Sequence, residues 1–428
     1  MKKFLALLLA GLLLLTGCAS QAEGTDSTDA SDEPKDSEAP DTDAGTDDTG
    51  NEAQTRPEGM REGQVYAADL FDTSDSLCIA FLGGSLTAGG VSVSEDLPDW
   101  PRSGNKWTND VVSYFVQKYR GVKTVTAYNA ALGGTTSDYA AARFDGQIAC
   151  HEPDIVFIEY SCNDSSWPEE KAPVYVEYLV RKCLELDKIP SIIVVHAPIP
   201  QERNDEGRYI KGIAAKEKVV ENYGIKSVNV YEYLEKLYAE SGFDGSFFKW
   251  LGPEGTGFYK QENETTHNVH PFGTGYAQYS DAILAEFDSD FGGCINRPKF
   301  ADILCTSYTD LLNSTIKMVK PDDDSISYDG KWTLYTDGEQ VYADSLKEGN
   351  IEHSYSGMGG SFEYPYFPDG IMLTNAEGAS FTVTVPADVV SIAMGVISSE
   401  FGGDVTVTLD GSDEEIGSLS DYSPYYDM

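Results

Sequence analysis

Across residues 65–291, short apolar runs alternate with longer amphipathic stretches, and this alternation limits the fold more than any other feature of the chain. The runs are Leu77-Cys78-Ile79-Ala80-Phe81-Leu82, Thr124-Val125-Thr126-Ala127-Tyr128, Ile155-Val156-Phe157-Ile158, Ile192-Ile193-Val194-Val195 and Ser227-Val228-Asn229-Val230. A strand that is apolar on consecutive residues buries both of its faces, which an open antiparallel sheet rarely requires. Stretches such as residues 107–119 and 174–186 have the helical period and the length of crossovers between parallel strands. Together they predict a doubly wound α/β domain over residues 64–300, with ligands beyond the carboxyl ends of its strands.

After Pro321 the period changes from continuous to two. Trp332-Thr333-Leu334-Tyr335, Ser380-Phe381-Thr382-Val383-Thr384-Val385 and Val405-Thr406-Val407-Thr408-Leu409 alternate, with Gly, Asp and Pro between them. This pattern predicts a smaller antiparallel β-sandwich or jelly-roll domain over residues 301–428. Two domains also suit a chain of 428 residues, because single cores stop growing at about 250–300 residues. The β part carries 23 acids against 4 bases and a single histidine, His353, so it offers no catalytic cluster.

The amino terminus bears on the compartment. Lys2 and Lys3 precede an apolar run over residues 4–15, which ends in Leu15-Thr16-Gly17-Cys18. The run is shorter than the roughly 20 residues that cross a bilayer, so it reads as an export signal. The ending resembles a bacterial lipobox. That resemblance implies that residues 1–18 are a lipoprotein signal peptide and that Cys18 is lipidated, anchoring an exported protein to the outer face of the bacterial cytoplasmic membrane or the cell surface. Residues 19–63 have 14 acids, 3 bases and almost no large apolar side chain. Such a segment cannot offset its chain entropy by burial and is expected to be a disordered acidic linker.

A formal charge of -41 makes nucleic acid an unsuitable partner, since binding phosphate needs basic patches. Six cysteines follow Cys18, namely Cys78, Cys150, Cys162, Cys183, Cys294 and Cys305, and the sequence does not choose among their pairings. Cys78 and Cys162, in or beside apolar segments, suit buried free thiols. None of the cysteines forms a close CxxC pair, and Asp322-Asp323-Asp324 lacks the Gly and distal Glu of a calcium loop. No metal and no cofactor are expected.

Four segments near the predicted strand ends and late in the domain carry chemistry. They are Gly83-Gly84-Ser85-Leu86-Thr87-Ala88-Gly89, Asn129-Ala130-Ala131-Leu132-Gly133-Gly134-Thr135-Thr136-Ser137, Glu159-Tyr160-Ser161-Cys162-Asn163-Asp164, and His267-Asn268-Val269-His270-Pro271. A serine becomes an effective nucleophile when an adjacent base takes its proton, and His270 is the candidate base for Ser85. The tetrahedral oxyanion needs preorganised donors, for which the backbone N–H groups of Ser85 and Gly134 and the side-chain amide of Asn163 are candidates.

The four segments resemble the signature blocks of the SGNH (GDSL-like) hydrolase superfamily, across roughly residues 77–287. The resemblance implies a flavodoxin-like three-layer fold, Ser85 as nucleophile, Gly134 and Asn163 in the oxyanion hole, and His270 as catalytic base. Two positions depart from the common pattern. Gly84 stands where many members have Asp, and Gly-Gly-Ser-Leu-Thr looks like a variant found in branches with carbohydrate esterases. His267 stands where members usually place an aspartate that orients the histidine. Three arrangements are open: a backbone carbonyl orients His270 in a Ser-His dyad, an acid such as Glu264 or Glu262 takes the aspartate's place, or catalysis is crippled.

The remaining histidines and Trp107 have structural readings. His196 is expected as a hydrogen-bonded strand-end residue and His151 as a surface turn residue, while Trp107 either lines the cleft or starts a helix. The expected substrate is a short-chain acyl ester, acetyl above all, on polysaccharide; a strongly negative surface disfavours acidic glycans and anionic lipids. Tyr355, Phe362, Tyr364, Tyr366 and Phe367 are candidates to stack on sugar faces or to form a β core. The alternatives are a general carboxylesterase or lipase, and a catalytically weak or dead glycan-binding surface lipoprotein. The sequence leaves the oligomeric state open. If an acid replaces the missing aspartate, Glu264→Gln lowers kcat more than His267→Ala in a short-chain ester assay; negligible effects of both leave the backbone-carbonyl dyad.

Overall fold

The computed structural model describes residues 56–89, 107–199, 207–240, 269, 271, 273–289, 295–335, 371–373, 378–386, 404–408 and 415–420. The expected signal peptide with Cys18, residues 19–55 of the expected acidic linker, Cys294, His353 and the aromatic residues 355–367 lie outside the described residues. Residues 56–63, read from the sequence as the end of a disordered linker, are instead described and packed: Met60 lies against a buried cluster of the domain, Arg61 N–H donates to Gln64 Oε1 at 2.7 Å, and the Arg61 guanidinium is 3.4 Å from Asp187. In chain order the first part runs β1 (Val65–Tyr66), α1 (Ala67–Leu70), β2 (Ser76–Gly83), α2 (Ser85–Ala88), α3 (Trp107–Lys118), β3 (Thr124–Asn129), α4 (Ser137–Gln147) and β4 (Ile155–Glu159). It continues α5 (Val174–Leu184), β5 (Lys188–Ile189), β6 (Ser191–His196), α6 (Arg208–Tyr223), β7 (Lys226–Asn229), α7 (Val230–Glu240) and α8 (Gly273–Ser289).

The five apolar runs of the sequence are the five strands of one parallel sheet, in the order β3-β2-β4-β6-β7. Continuous apolarity has the expected cause. Leu77, Ile79 and Phe81 of β2, Ile155 and Phe157 of β4, and Ile193 and Val195 of β6 belong to one buried cluster with Trp107, Val111 and Phe115 of α3, Leu234 of α7 and Tyr276, Tyr279 and Ile283 of α8. The residues between them, Ala80, Leu82, Val156, Ile158, Ile192 and Val194, belong to a second cluster with Ala140 and Phe144 of α4, Val176, Leu179 and Val180 of α5 and Val219, Val220 and Tyr223 of α6. The sheet therefore separates two helical layers. Strand β3, at the sheet edge, is mostly exposed, in keeping with its Thr-rich sequence.

Trp107 resolves to the helix-start reading. It is fully buried as the first residue of α3, edge-on to Phe81 at 5.4 Å and stacked on Tyr279 at 6.2 Å. Phe81 in turn stacks on Phe157 at 5.1 Å, which ties the two central strands to α3.

The chain then returns along the α4–α6 layer. Lys299 N–H donates to Tyr223 O, and the buried carboxylate of Glu177 on α5 accepts from the backbone N–H groups of Leu304 (2.7 Å) and Cys305 (2.8 Å) and from the Tyr223 hydroxyl (2.8 Å). Ile316 N–H donates to Tyr178 Oη at 3.0 Å. Beyond this strap the described strands pair antiparallel: β8 (Ile326–Asp329) with β11 (Ser380–Val383), β9 (Thr333–Tyr335) with β10 (Ile371–Leu373), and β12 (Asp404–Thr408) with β13 (Glu415–Ser420). Among the described residues, no helix is long and apolar enough to cross a membrane.

The strand order has a functional consequence. From β2 the chain crosses to β3 on one side, then returns past β2 to β4 on the other. This is the flavodoxin-like order, and the crevice at its switch point opens beyond the carboxyl ends of β2 and β4.

Candidate active site

Both β2 and β4 end in segments that the sequence singled out as candidates. Strand β2 stops at Gly83, Gly84 is extended (φ −88°, ψ −153°), and Ser85 begins the single turn α2. Gly89 closes the turn in the left-handed region (φ +91°), its N–H donating to Ser85 O at 2.9 Å. Ser85 is half-buried, while Leu86 and Thr87 behind it are buried.

The two glycines before Ser85 are required by different neighbours. A Cβ at position 83 would lie 2.1 Å from Thr87 Oγ1 and 3.0 Å from Glu159 O. A Cβ at position 84 would lie 2.1 Å from Asn163 Oδ1 and 2.7 Å from its Cγ. The Asn163 amide thus rests on the Gly84 backbone, one residue before the serine. Any side chain at 84, Asp included, would displace it in this structure.

The loop after β3 reaches the same place by prolonging the sheet register. Ala130 N–H donates to Phe81 O at 2.9 Å and Leu132 N–H to Gly83 O at 3.0 Å. Gly134 follows with φ +74°, a conformation that L side chains rarely adopt, and it is exposed. Asn129 ties this loop to the serine turn: its Nδ2 donates to Thr87 O (3.0 Å), and its Oδ1 accepts from Ala131 N–H (3.0 Å). Ser85, Gly134 and Asn163 are therefore brought to adjacent strand-end loops.

His270, His267, Glu264 and Glu262 lie outside the described residues. Val269 is buried in the same cluster as Leu86 and Cys162.

Beneath the serine turn lies a carboxyl group that sequence reasoning did not assign. Glu159, the last residue of β4, is fully buried, and its Oε2 accepts from Thr87 Oγ1 at 2.9 Å. Burial pushes its pKa up to about 7, against the opposing influence of the Thr87 hydrogen bond and the Lys216 charge. Asp164, beside Asn163, is also buried. It accepts from Ser137 N–H (3.1 Å) and Ser137 Oγ (2.9 Å) at the start of α4 and pairs with Lys216 Nζ of α6 at 2.8 Å. Lys216 Nζ also donates to Tyr160 O at 3.2 Å. Desolvation raises the Asp164 carboxyl above its ordinary value, and Lys216 pulls the other way.

The other histidines have structural partners. His196, buried at the end of β6, is hydrogen bonded to Ser161 and Glu217. His151 stacks on Tyr128 at 3.5 Å. Cys78, Cys150, Cys162, Cys183 and Cys305 form no disulfide with one another, and Cys162 is buried and Cys78 partly so. Among the described residues no group of three or more His, Cys, Asp or Glu side chains is arranged to hold a metal ion.

Residues 81–278 match the family model described as GDSL-like Lipase/Acylhydrolase family. No curated protein sequence matches the chain significantly. Among solved structures, a two-domain esterase (CEX) active on acetylated mannans is similar at 21% identity with a TM-score of 0.43, over 63% of this chain and 62% of that one. LAE5, an alpha/beta hydrolase from the metagenome of Lake Arreo, Spain, is similar at 16% identity and a TM-score of 0.37, over 52% of this chain and 98% of that one. The acetylxylan esterase Axe2 of Geobacillus stearothermophilus, as a catalytic mutant, is similar at 14% identity and a TM-score of 0.38, over 50% of this chain and 95% of that one.

Two outcomes follow from the geometry. Gly84→Ala forces Asn163 off its seat; with Asn163 as the oxyanion donor that the sequence leads one to expect, the variant lowers kcat in a short-chain ester assay by roughly 100-fold, with an unchanged circular dichroism spectrum. Glu159 has a folded pKa above its unfolded value, so its contribution to stability is fully present below about pH 4.5 and is lost as pH rises through about 7. Glu159→Gln removes that loss. Relative to wild type, the variant gains roughly 3 kcal/mol between pH 5 and pH 8.5, read from urea midpoints at both pH values.

Proposed function

We propose that this chain, whose residues 81–278 form a GDSL-like lipase/acylhydrolase domain, is an extracytoplasmic serine esterase that removes short acyl groups, above all acetyl, from polysaccharide. The observation that carries the reading is the meeting of three strand-end loops. Ser85 starts its turn on a backbone that seats the Asn163 amide, and the Gly134 turn is registered against the same strand.

In the proposed reaction Ser85 Oγ attacks the acetyl carbonyl carbon as His270 takes the hydroxyl proton. The oxyanion receives the N–H groups of Ser85 and Gly134 and the Asn163 amide. The bond to the sugar oxygen breaks, and that oxygen takes the proton from His270. Water then attacks acetyl-Ser85 with the same histidine as base, releasing acetate and restoring the serine.

Three features support a sugar ester over a lipid ester. The leader and Cys18 suit export and lipid anchoring at the cell surface, where polysaccharide is met. The Gly-Gly-Ser variant looks like that of carbohydrate-esterase branches. The antiparallel strands after residue 325 suit an accessory domain. The charge of -41 further disfavours anionic lipid and acidic glycan. His267 supports a second reading, a glycan-capturing lipoprotein with weak catalysis, because a neutral imidazole brings no negative charge to the base.

The deciding assay measures acetate release from acetylated glucomannan and acetylated xylan. Wild type is expected to release acetate, and Ser85→Ala to lower the rate by at least about a thousandfold. Binding of either glycan by wild type without acetate release would establish the capture reading instead.

A further inference from the structure

The loop that carries Asn163 is gripped by two consecutive residues of α6, and they reach it by different routes. Lys216 holds the loop directly through Tyr160 O and the Asp164 carboxylate. Glu217 holds it through a relay: its Oε1 is 2.5 Å from His196 Nε2, and His196 Nδ1 is 2.8 Å from Ser161 Oγ. Ser227 Oγ donates to the other oxygen of Glu217 at 3.0 Å, so this carboxylate is itself fixed.

The relay contains a serine, a histidine and an acid, yet its wiring is the reverse of a catalytic triad. In a triad the serine faces Nε2 and the acid faces Nδ1. Here the acid takes Nε2–H, which leaves Nδ1 as acceptor for the Ser161 hydroxyl. Ser161 is 4% exposed and His196 fully buried, so no ester reaches either. Burial lowers the His196 pKa, against the Glu217 carboxylate, and that carboxylate, which can only accept, places a proton on Nε2. Desolvation works to raise the Glu217 carboxyl, but its bonds with His196 and Ser227 hold it below the ordinary value as an anion.

Resting on the esterase reading above, we propose that Glu217, acting through His196 and Ser161, is a positioning residue for the oxyanion donor Asn163. Ser161 lies two residues before Asn163, and Lys216 holds the same loop at the Tyr160 carbonyl and at the Asp164 carboxylate. The hydroxyl of Ser161 adds its restraint to a loop that Lys216 and Ser137 already hold at Tyr160 and Asp164, and it sets how far the Asn163 amide stands from Ser85. A donor displaced by a few tenths of an ångström still folds and still admits substrate, but it stabilises the oxyanion less.

The experiment is a kinetic double-mutant cycle on the full chain with a short-chain acetyl ester. Ser161→Ala and Glu217→Gln are each expected to lower kcat about tenfold with KM unchanged. In an Asn163→Ala background, already slowed roughly 100-fold, the same substitutions are expected to have no further effect. An equal, additive loss in that background overturns the relay while leaving the esterase reading intact. So does a fall in thermal midpoint with wild-type kcat. Full activity in Asn163→Ala alone overturns the oxyanion assignment and this inference with it.

Discussion

The junction beyond β2 and β4 depends on one contact, the Asn163 amide seated on the bare backbone of Gly84. It can form only because β2 and β4 are neighbours in the sheet, with Gly83 opposite Glu159 in register. Parallel pairing sends both chains out of the sheet at the same end and the same level. The Ser85 turn and the Asn163 loop then meet without long-range adjustment, at the switch point of the sheet. The glycines are thus steric requirements of a close backbone approach, and the hydroxyl of Ser85 is accessible as a by-product of that geometry.

Seating polar groups over a closed core has a cost that the surrounding residues must offset. Asp164 and Lys216 are both almost fully buried, and breaking such a pair typically costs about 3–5 kcal/mol because one charge is left uncompensated. The pair is saturated with further bonds from Ser137 and to Tyr160, as buried charges require. Glu159 adopts the other solution. With Thr87 as its hydroxyl partner and a pKa of about 7, it carries its proton through much of the acidic to neutral range and so avoids a second buried anion beside Asp164. Two adjacent carboxyl groups in one pocket are compatible because one is paired and the other can be neutral.

The fold was legible where a single physical rule governs many residues. Burial on both faces dictates continuous apolar runs, so the five strands stood out in the sequence, and even the weak run at Thr124 was explained once β3 proved to be an edge. Gly83, Gly84 and Asn163 stood out because they sit in strand-end turns, and the structure brings Gly84 and Asn163 into contact. Glu159 left a trace, an acid ending the run Ile155-Val156-Phe157-Ile158, but one acid after a strand is ordinary. Lys216 and Glu217 left none. Adjacent charges on an amphipathic helix look like solvated surface, and only the packing of α6 against the Asn163 loop reveals that one is buried and the other faces a histidine. Nor could the sequence decide Trp107, since a helix start and a cleft wall call for the same residue.

In the proposed reaction His267, at the position where the SGNH pattern usually has an aspartate, bears on proton transfer and not on the oxyanion. An aspartate in a hydrolase triad fixes the imidazole's tautomer and stabilises the imidazolium that forms as the serine is deprotonated. Its importance scales with how fully that charge must develop before the leaving group departs. An amide nitrogen must be protonated to leave, which makes a long-lived imidazolium indispensable. A sugar alkoxide is a far better leaving group, so an ester demands less of the base and more of the donors that hold the oxyanion. In the proposed reading the buried polar contacts serve that side: Gly84 against Asn163, Asp164 with Lys216, and Ser161 through His196 to Glu217. An acyl ester of an alcohol is the substrate class for which a well-fixed oxyanion hole with a modest base is a sufficient division of labour.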